Sequence, residues 1–188
     1  MVTETVTGTP RETIRRILGA ADADSVQYLL DPPTEFLFAL AEVGREIDEL
    51  PEIRVIGRHE AVRQFRQDFL MGSQIATLVA DGTVSLRETE LGEETPMIVG
   101  PDRVNALVLV EDVATAIETD DPSFVADAVE SCADLWEHAE EYHVRTPPLD
   151  DLLASIETAH DQVGDLAATL PELRGDLDDA HAEGEDEG

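Results

Sequence analysis

The sequence predicts an α/β domain: a mixed sheet with parallel N-terminal strands and antiparallel hairpin strands, flanked by helices. Three observations carry this. Two short apolar runs, 25–31 and 53–57, alternate with amphipathic helical stretches, the pattern of buried parallel strands joined by crossover helices. Four strand-like segments then come in close succession at 83–89, 96–100, 104–111 and 113–119. Helical periodicity returns after Asp121-Pro122 and again from Leu149. The expected organisation is a loose leader over 1–9, a single domain over 10–166 and an acidic, disordered tail over 167–188.

Each element has a local reason. Residues 1–9 lack a helical apolar period and read as the leader. Pro10 suits the first turn of a helix reaching about Ala20, with Thr9 as its cap and Ile14, Ile17 and Leu18 as its stripe. The run Ser25–Asp31 stops against Pro32-Pro33 and reads as a buried strand. A helix comes next, from Thr34 to about Leu50, turning Phe36, Leu37, Leu40 and Val43 or Ile47 inward. Ile53–Gly57 is the second buried strand. A long helix is expected over His59–Ala80, stopped by Asp81-Gly82. Among the four later strands, Gly100-Pro101-Asp102 supplies the turn between the second and third. The helix opened by Asp121-Pro122 is expected to reach Tyr142, with Val125, Val129, Cys132 and Trp136 on one face. Thr146-Pro147-Pro148 breaks it, and a last helix covers about Leu149–Leu166.

Charge sets the solvent. The chain has 188 residues with 12 arginines, no lysine and 43 acidic side chains, a net charge of −31. The final stretch 171–188 accounts for only −7 of this, so the folded part is acidic in its own right. In dilute buffer such a charge opposes compaction by self-repulsion. At molar salt the Debye length falls to about 3 Å and most of that repulsion is screened. Abundant carboxylates without lysine fit the cytoplasm of an extreme halophile, and the acidity then reports on solvent rather than on a basic partner. A lone cysteine, Cys132, excludes an internal disulfide and any zinc site built on several thiolates. No apolar run is long enough to span a bilayer, and no signal peptide is evident. The expected location is therefore cytoplasmic, with no membrane contact.

The chemistry-bearing residues are few. Arg54, Arg58, His59, Arg63 and Arg66 form the one basic cluster. His59, Arg63 and Arg66 fall on one face of the expected long helix. Arg58 and His59 lie where the second strand ends and its helix begins, the edge of an α/β sheet where ligands bind and where a helix N-terminus favours an anion. Asp31, just past the first strand, falls on the same edge. One reading is a pocket for a phosphorylated or carboxylated metabolite formed by Asp31, Arg58, His59, Arg63 and Arg66. The other is an exposed helix face whose arginines pair with Glu60, Asp68 and nearby acids. His138 and His143 are spaced wrongly for one helix face, and Cys132 with Trp136 reads as buried packing. Gly-x-Ser-x-Gly, Gly-x-x-x-x-Gly-Lys and Gly-x-Gly-x-x-Gly are all absent. The chain therefore reads as a non-enzyme, and no cofactor or metal is implied. Direct DNA binding is disfavoured, because duplex affinity comes largely from cationic side chains meeting phosphates. An oligomer using the arginine cluster is the alternative.

Several stretches carry a family likeness. They are Leu50-Pro-Glu-Ile-Arg-Val-Ile-Gly57, Asp68-Phe-Leu-Met-Gly-Ser-Gln-Ile-Ala-Thr-Leu-Val79, Ala114-Thr-Ala-Ile-Glu-Thr-Asp-Asp-Pro-Ser-Phe-Val125 and Trp136-Glu-His-Ala-Glu-Glu-Tyr-His-Val-Arg-Thr-Pro-Pro-Leu149. Over roughly residues 10–165 the chain resembles the N-terminal domain of the haloarchaeal transcriptional regulator TbsP family. The resemblance implies a phospholipase D-like effector domain. Those enzymes use His-x-Lys-x-x-x-x-Asp, which a lysine-free chain cannot supply. Family members carry a C-terminal winged helix, for which the acidic tail here leaves no room. The expected role is then a regulatory effector or dimerisation domain. It would act as a homodimer, as a heterodimer with a full-length winged-helix relative, or by binding a small anionic metabolite. The apolar hairpin Ala106–Val110 offers either an interface or core strands.

Overall fold

Two crossovers fix the centre of the sheet. The computed structural model describes residues 3–47, 49–58, 68–90 and 95–163. Strand β2 (Val26–Leu30), helix α2 (Thr34–Val43), strand β3 (Glu52–Gly57), helix α3 (Phe69–Ala80) and strand β4 (Val84–Glu88) succeed one another, with β2, β3 and β4 parallel. The hairpin strands β5 (Met97–Val99), β6 (Val104–Val110) and β7 (Val113–Thr119) continue the sheet antiparallel from the β2 side. With β1 (Thr3–Gly8) and β8 (Glu140–Glu141), the order across the sheet is β1-β7-β6-β5-β2-β3-β4-β8. The mixed sheet expected from the sequence is thus observed.

The sheet is covered on both faces, and the period-two alternation of its strands assigns side chains to each. Leu29, Ile53, Val55, Val84, Leu86, Ile98 and Leu107 point to one face, where α2, α3 and α1 (Pro10–Gly19) supply Phe36, Leu40, Ile75 and Ile14. Tyr28, Leu30, Ile56, Val99 and Val104 point to the other, under Val125 and Cys132 of α4 (Pro122–His138). Helix α4 lies mainly over β2, β3 and β5 and reaches Val104 at the start of β6. The outer half of its face, over β6 and β7, is bare: Val108, Val110, Val113 and Ile117 are exposed.

Helix ends obey local chemistry. Thr9 and Glu12 form a reciprocal capping box on α1, which also has Pro10 in its first turn. The hydrogen bonds from the Thr9 backbone and hydroxyl hold the Glu12 carboxyl below its ordinary value. Asp121 caps α4 by accepting from the Ser123 and Phe124 amides.

Four expectations need correction. The leader is a strand, β1, whose Thr5, Val6 and Thr7 lie opposite Ile117, Ala116 and Thr115 of β7. Its signal was β-branched composition, not apolar content. Helix α2 ends at Val43, not near Leu50. Gly44 comes next because a Cβ there would sit 2.5 Å from Leu78 Cδ1 of α3. The expected helix over His59–Ala80 is not continuous: Asp68 is extended and caps a new helix by accepting from the Met71 amide, while residues 59–67 lie outside the described ones. Helix α4 stops at His138, since Glu140 and Glu141 pair with Glu88 and Arg87 as an edge strand. The last helix is described over 149–163, and the expected acidic tail lies outside the described residues. Residues 1–149 form one compact unit and those from Asp150 another.

Candidate ligand site at the carboxyl edge of the parallel strands

Three parallel strands end side by side, and the residues just past their ends build the edge. After β2 comes Asp31, whose amide donates to Ile56 O at 2.8 Å and so prolongs the ladder by one residue. Its backbone then turns into the left-handed region, with φ +43°, ahead of Pro32-Pro33. Aspartate is among the few residues that enter this region at modest cost, and strain of this kind gathers at functional sites. After β3 comes Arg58, and its Nε donates to Asp31 Oδ1 at 2.8 Å. Strand β4 closes with Glu88, and beyond it the Thr89 amide donates to Gly57 O.

Asp31 is unusual in its solvation. It is 2% exposed, whereas the Arg58 side chain is 53% exposed. Asp31 Oδ2 is buried with no hydrogen-bond partner among the described residues. Burying a carboxylate costs several kcal/mol unless its lone pairs are filled. A strained, buried acid with an unfilled acceptor is an expensive residue to keep for stability alone.

Asp31 and Arg58 are thus brought together as the sequence indicates. His59, Arg63 and Arg66 lie outside the described residues. Beside the same edge Glu88, Thr89, Glu90, His138 and Glu140 line a cleft of about 500 Å³. Its carboxylates make it a poor seat for an anion. Sequence reasoning missed this cleft because Glu140 belongs to a two-residue strand with no apolar signature.

The remaining candidates are structural. Arg54 lies over the Tyr28 ring at 5.7 Å and the Trp136 ring at 5.5 Å from their centroids, and pairs with Glu52 at 2.7 Å. Arg87 covers Trp136 at 4.5 Å and donates to its backbone carbonyl. Trp136 therefore sits in contact with two guanidinium groups. Burial pushes the Cys132 thiol up to about 11, so it stays protonated and unreactive. His138 Nδ1 donates to Asp134 O at 2.7 Å, and His143 is exposed beside Glu141. Among the described residues no group of three or more His, Cys, Asp or Glu could hold a metal ion, and no helix is long and apolar enough to cross a membrane.

The family described as transcriptional regulator TbsP-like, N-terminal, matches residues 3–147. Among solved structures, TrmBL2, an archaeal chromatin protein described with a novel mode of DNA binding, superposes with a TM-score of 0.54 at 17% identity, covering 76% of this chain and 54% of its own. The chain thus spans about half the length of TrmBL2, and at this identity the likeness shows the fold alone. Nuc, a phospholipase D family member from Salmonella typhimurium, has a TM-score of 0.49 at 12% identity, covering 76% of this chain and 99% of its own. NucT from Helicobacter pylori has a TM-score of 0.45 at 10% identity, covering 75% and 100%. No curated protein matches the chain.

Proposed function

The chain belongs to the TbsP-like N-terminal family of transcriptional regulators, and on that premise we propose that it is a regulatory, non-catalytic effector domain that binds a small molecule at the carboxyl edge of β2 and β3. The observation that carries this reading is Asp31: buried, strained and left with an unfilled acceptor beside Arg58. Asp31 supplies an acceptor for a ligand hydroxyl and Arg58 a positive charge, a pairing suited to a hydroxylated acid or phosphate. His59, Arg63 and Arg66, which the sequence groups with Asp31 and Arg58, are proposed as further members of the site. The protein would act in the cytoplasm, as a homodimer or with a winged-helix relative, and no catalytic step is needed.

The test is a thermal-shift panel in molar KCl with neutral polyols, hydroxy acids and sugar phosphates. Ligand at about a hundredfold over Kd should stabilise the folded state by about 2.7 kcal/mol. Asp31→Asn, which tolerates the same backbone, should abolish the shift while leaving the ligand-free melt near wild type. Arg58→Gln should also abolish it, but with a lowered ligand-free melt, because the buried Asp31 carboxylate loses its partner. A panel without any shift, or a shift indifferent to both substitutions, would overturn the reading.

A second reading, action through a partner chain, draws on the bare outer half of the sheet. Val108, Val110, Val113 and Ile117 share that face with Thr5, Thr7 and Thr115, and no acid sits among them in a chain of −31. Recovery of a winged-helix relative with the wild type and its loss on Val110→Glu with Val113→Glu supports this; equal recovery refutes it. The DNA alternative draws less from the geometry, because Arg54 is engaged by Tyr28, Trp136 and Glu52.

A further inference from the structure

Three features of the sheet domain gather around its β1-β7-β6 end. Val108, Val110, Val113 and Ile117 are exposed on the bare half of the sheet. Helix α4 runs obliquely, from β6, where Val125 shares an apolar cluster with Val104, to β4, where Trp136 covers Arg87. Its first turn therefore stands at the border of the bare half, and Phe124 in that turn is 52% exposed. Strand β1 is the outermost of the sheet, and its outer edge pairs with no other strand among the described residues. An open edge of this kind is a template for further contact.

Together these features form a step, with the bare half-sheet as its tread and α4, one layer above, as its riser. Helix and sheet layers are each about 10 Å thick. A second copy turned over about a two-fold axis therefore fits the step: its bare half-sheet enters the layer of α4, and its own α4 enters the layer of the first sheet. Each β1 edge then meets Phe124 on the first turn of the other copy's α4. Area calls for that fit. The tread is three strands wide and about three same-face residues long, roughly 14 Å by 20 Å. That is well below the about 800 Å² each partner of a stable complex buries, so riser and edge have to contribute.

Charge selects the occupant. The chain carries 43 acids, yet none lies on the tread. Glu4 and Glu118 of β1 and β7 point to the opposite face by alternation, and Glu111 and Asp112 of the β6–β7 turn stand at the rim. A second copy, also at −31, is repelled by the acidic surfaces of the first and least by this one. We propose that two copies pair face to face through this step as an isologous homodimer. The inference rests on the partner-chain reading above and names a second copy as the partner.

Sedimentation equilibrium of the full chain at tens of micromolar in molar KCl tests it. The wild type should be a dimer that tightens as KCl is raised and the rim acids are screened. Val108→Asp, and separately Ile117→Asp, should each raise the dissociation constant by about a hundredfold or more. Both side chains are exposed, so circular dichroism should show each variant folded. Phe124→Ala should weaken the dimer by about tenfold. Arg45→Glu, exposed at the end of α2 on the opposite side of the sheet, should stay dimeric. A dimer that survives both aspartate variants, or that Arg45→Glu dissolves equally, would overturn the pairing, and one indifferent to Phe124→Ala would overturn the stepped fit. A monomeric wild type that still recovers a winged-helix relative through Val110 and Val113 would overturn the self-pairing and leave the partner reading standing.

Discussion

Replacing Phe36 by alanine should lower the unfolding free energy by about 3–5 kcal/mol, a large part of what a domain of this size possesses. Phe36 is fully buried in the cluster that α1, α2 and α3 form on one face of the sheet. The cost has two parts, the lost transfer of a large apolar side chain and the void it leaves. The void cannot close easily, because α2 is pinned at both ends. Its first amides return to Pro33 O, and its far end meets Leu78 of α3 at Gly44 without room for a methyl group. Phe36→Leu should cost clearly less than the alanine change, since it keeps most of the apolar contact and leaves a smaller void. Urea denaturation in molar KCl measures both, and urea adds no ions to the screening. A loss below about 1 kcal/mol for the alanine variant would mean that α2 is not the tight element its burial indicates. The substitution also reaches the proposed site. Phe36 lies one turn into α2, and α2 begins directly after Asp31-Pro32-Pro33, so a loosened helix frees the strained Asp31 backbone.

The parallel core was legible in the sequence because β2 and β3 are buried on both faces and therefore read as short, mostly apolar runs, interrupted only by Gln27 and Arg54. Val26–Leu30 and Ile53–Ile56 needed no alternation to be recognised, and the turns at Gly82 and Gly100 marked the start of the hairpin region. Asp31 and Arg58 were legible for a related reason: residues just past such strands share an edge whatever the crossovers do. The features that escaped depended on long-range pairing. β1 is held by β7, whose residues lie far along the chain, and its Thr-Glu-Thr-Val-Thr run carries only one apolar side chain. β8 exists because Glu140 and Glu141 meet the free edge of β4, and nothing in two consecutive glutamates announces a strand. The break at Asp68 escaped because apolar periodicity runs through a helix start as readily as through a helix middle. The acidic cleft inherits the same difficulty, since it needs β4, β8 and the end of α4 together.

Removing the Trp136 ring tests the opposite face of the sheet, and Trp136→Ala should cost about 3 kcal/mol, the lower end expected for so large a side chain because the ring is only partly buried. Part of that loss is apolar packing of α4 over β2 and β3. The rest is electrostatic. Arg87 and Arg54 both contact the ring, and a guanidinium over an aromatic face contributes about 0.5–1 kcal/mol when exposed and up to about 2 when desolvated. Molar salt discriminates this contact from ordinary ion pairs. Exposed pairs such as Arg103 with Asp102 contribute little and are screened. Short-range contact with a ring quadrupole, partly shielded from water, persists. The deficit of Trp136→Ala should therefore change little as KCl is raised, even as the absolute stability of the −31 chain climbs. Circular dichroism is the readout, because Trp136 is the only tryptophan. Trp136→Phe should recover more than half of the loss by restoring a weaker ring. Phe36 and Trp136 share no partner across the sheet, so Phe36→Ala with Trp136→Ala should add within about 0.5 kcal/mol. A summed loss far below that would mean the two faces are one cooperative core, with Tyr28 and Leu29 passing strain through β2 to Asp31 at its end.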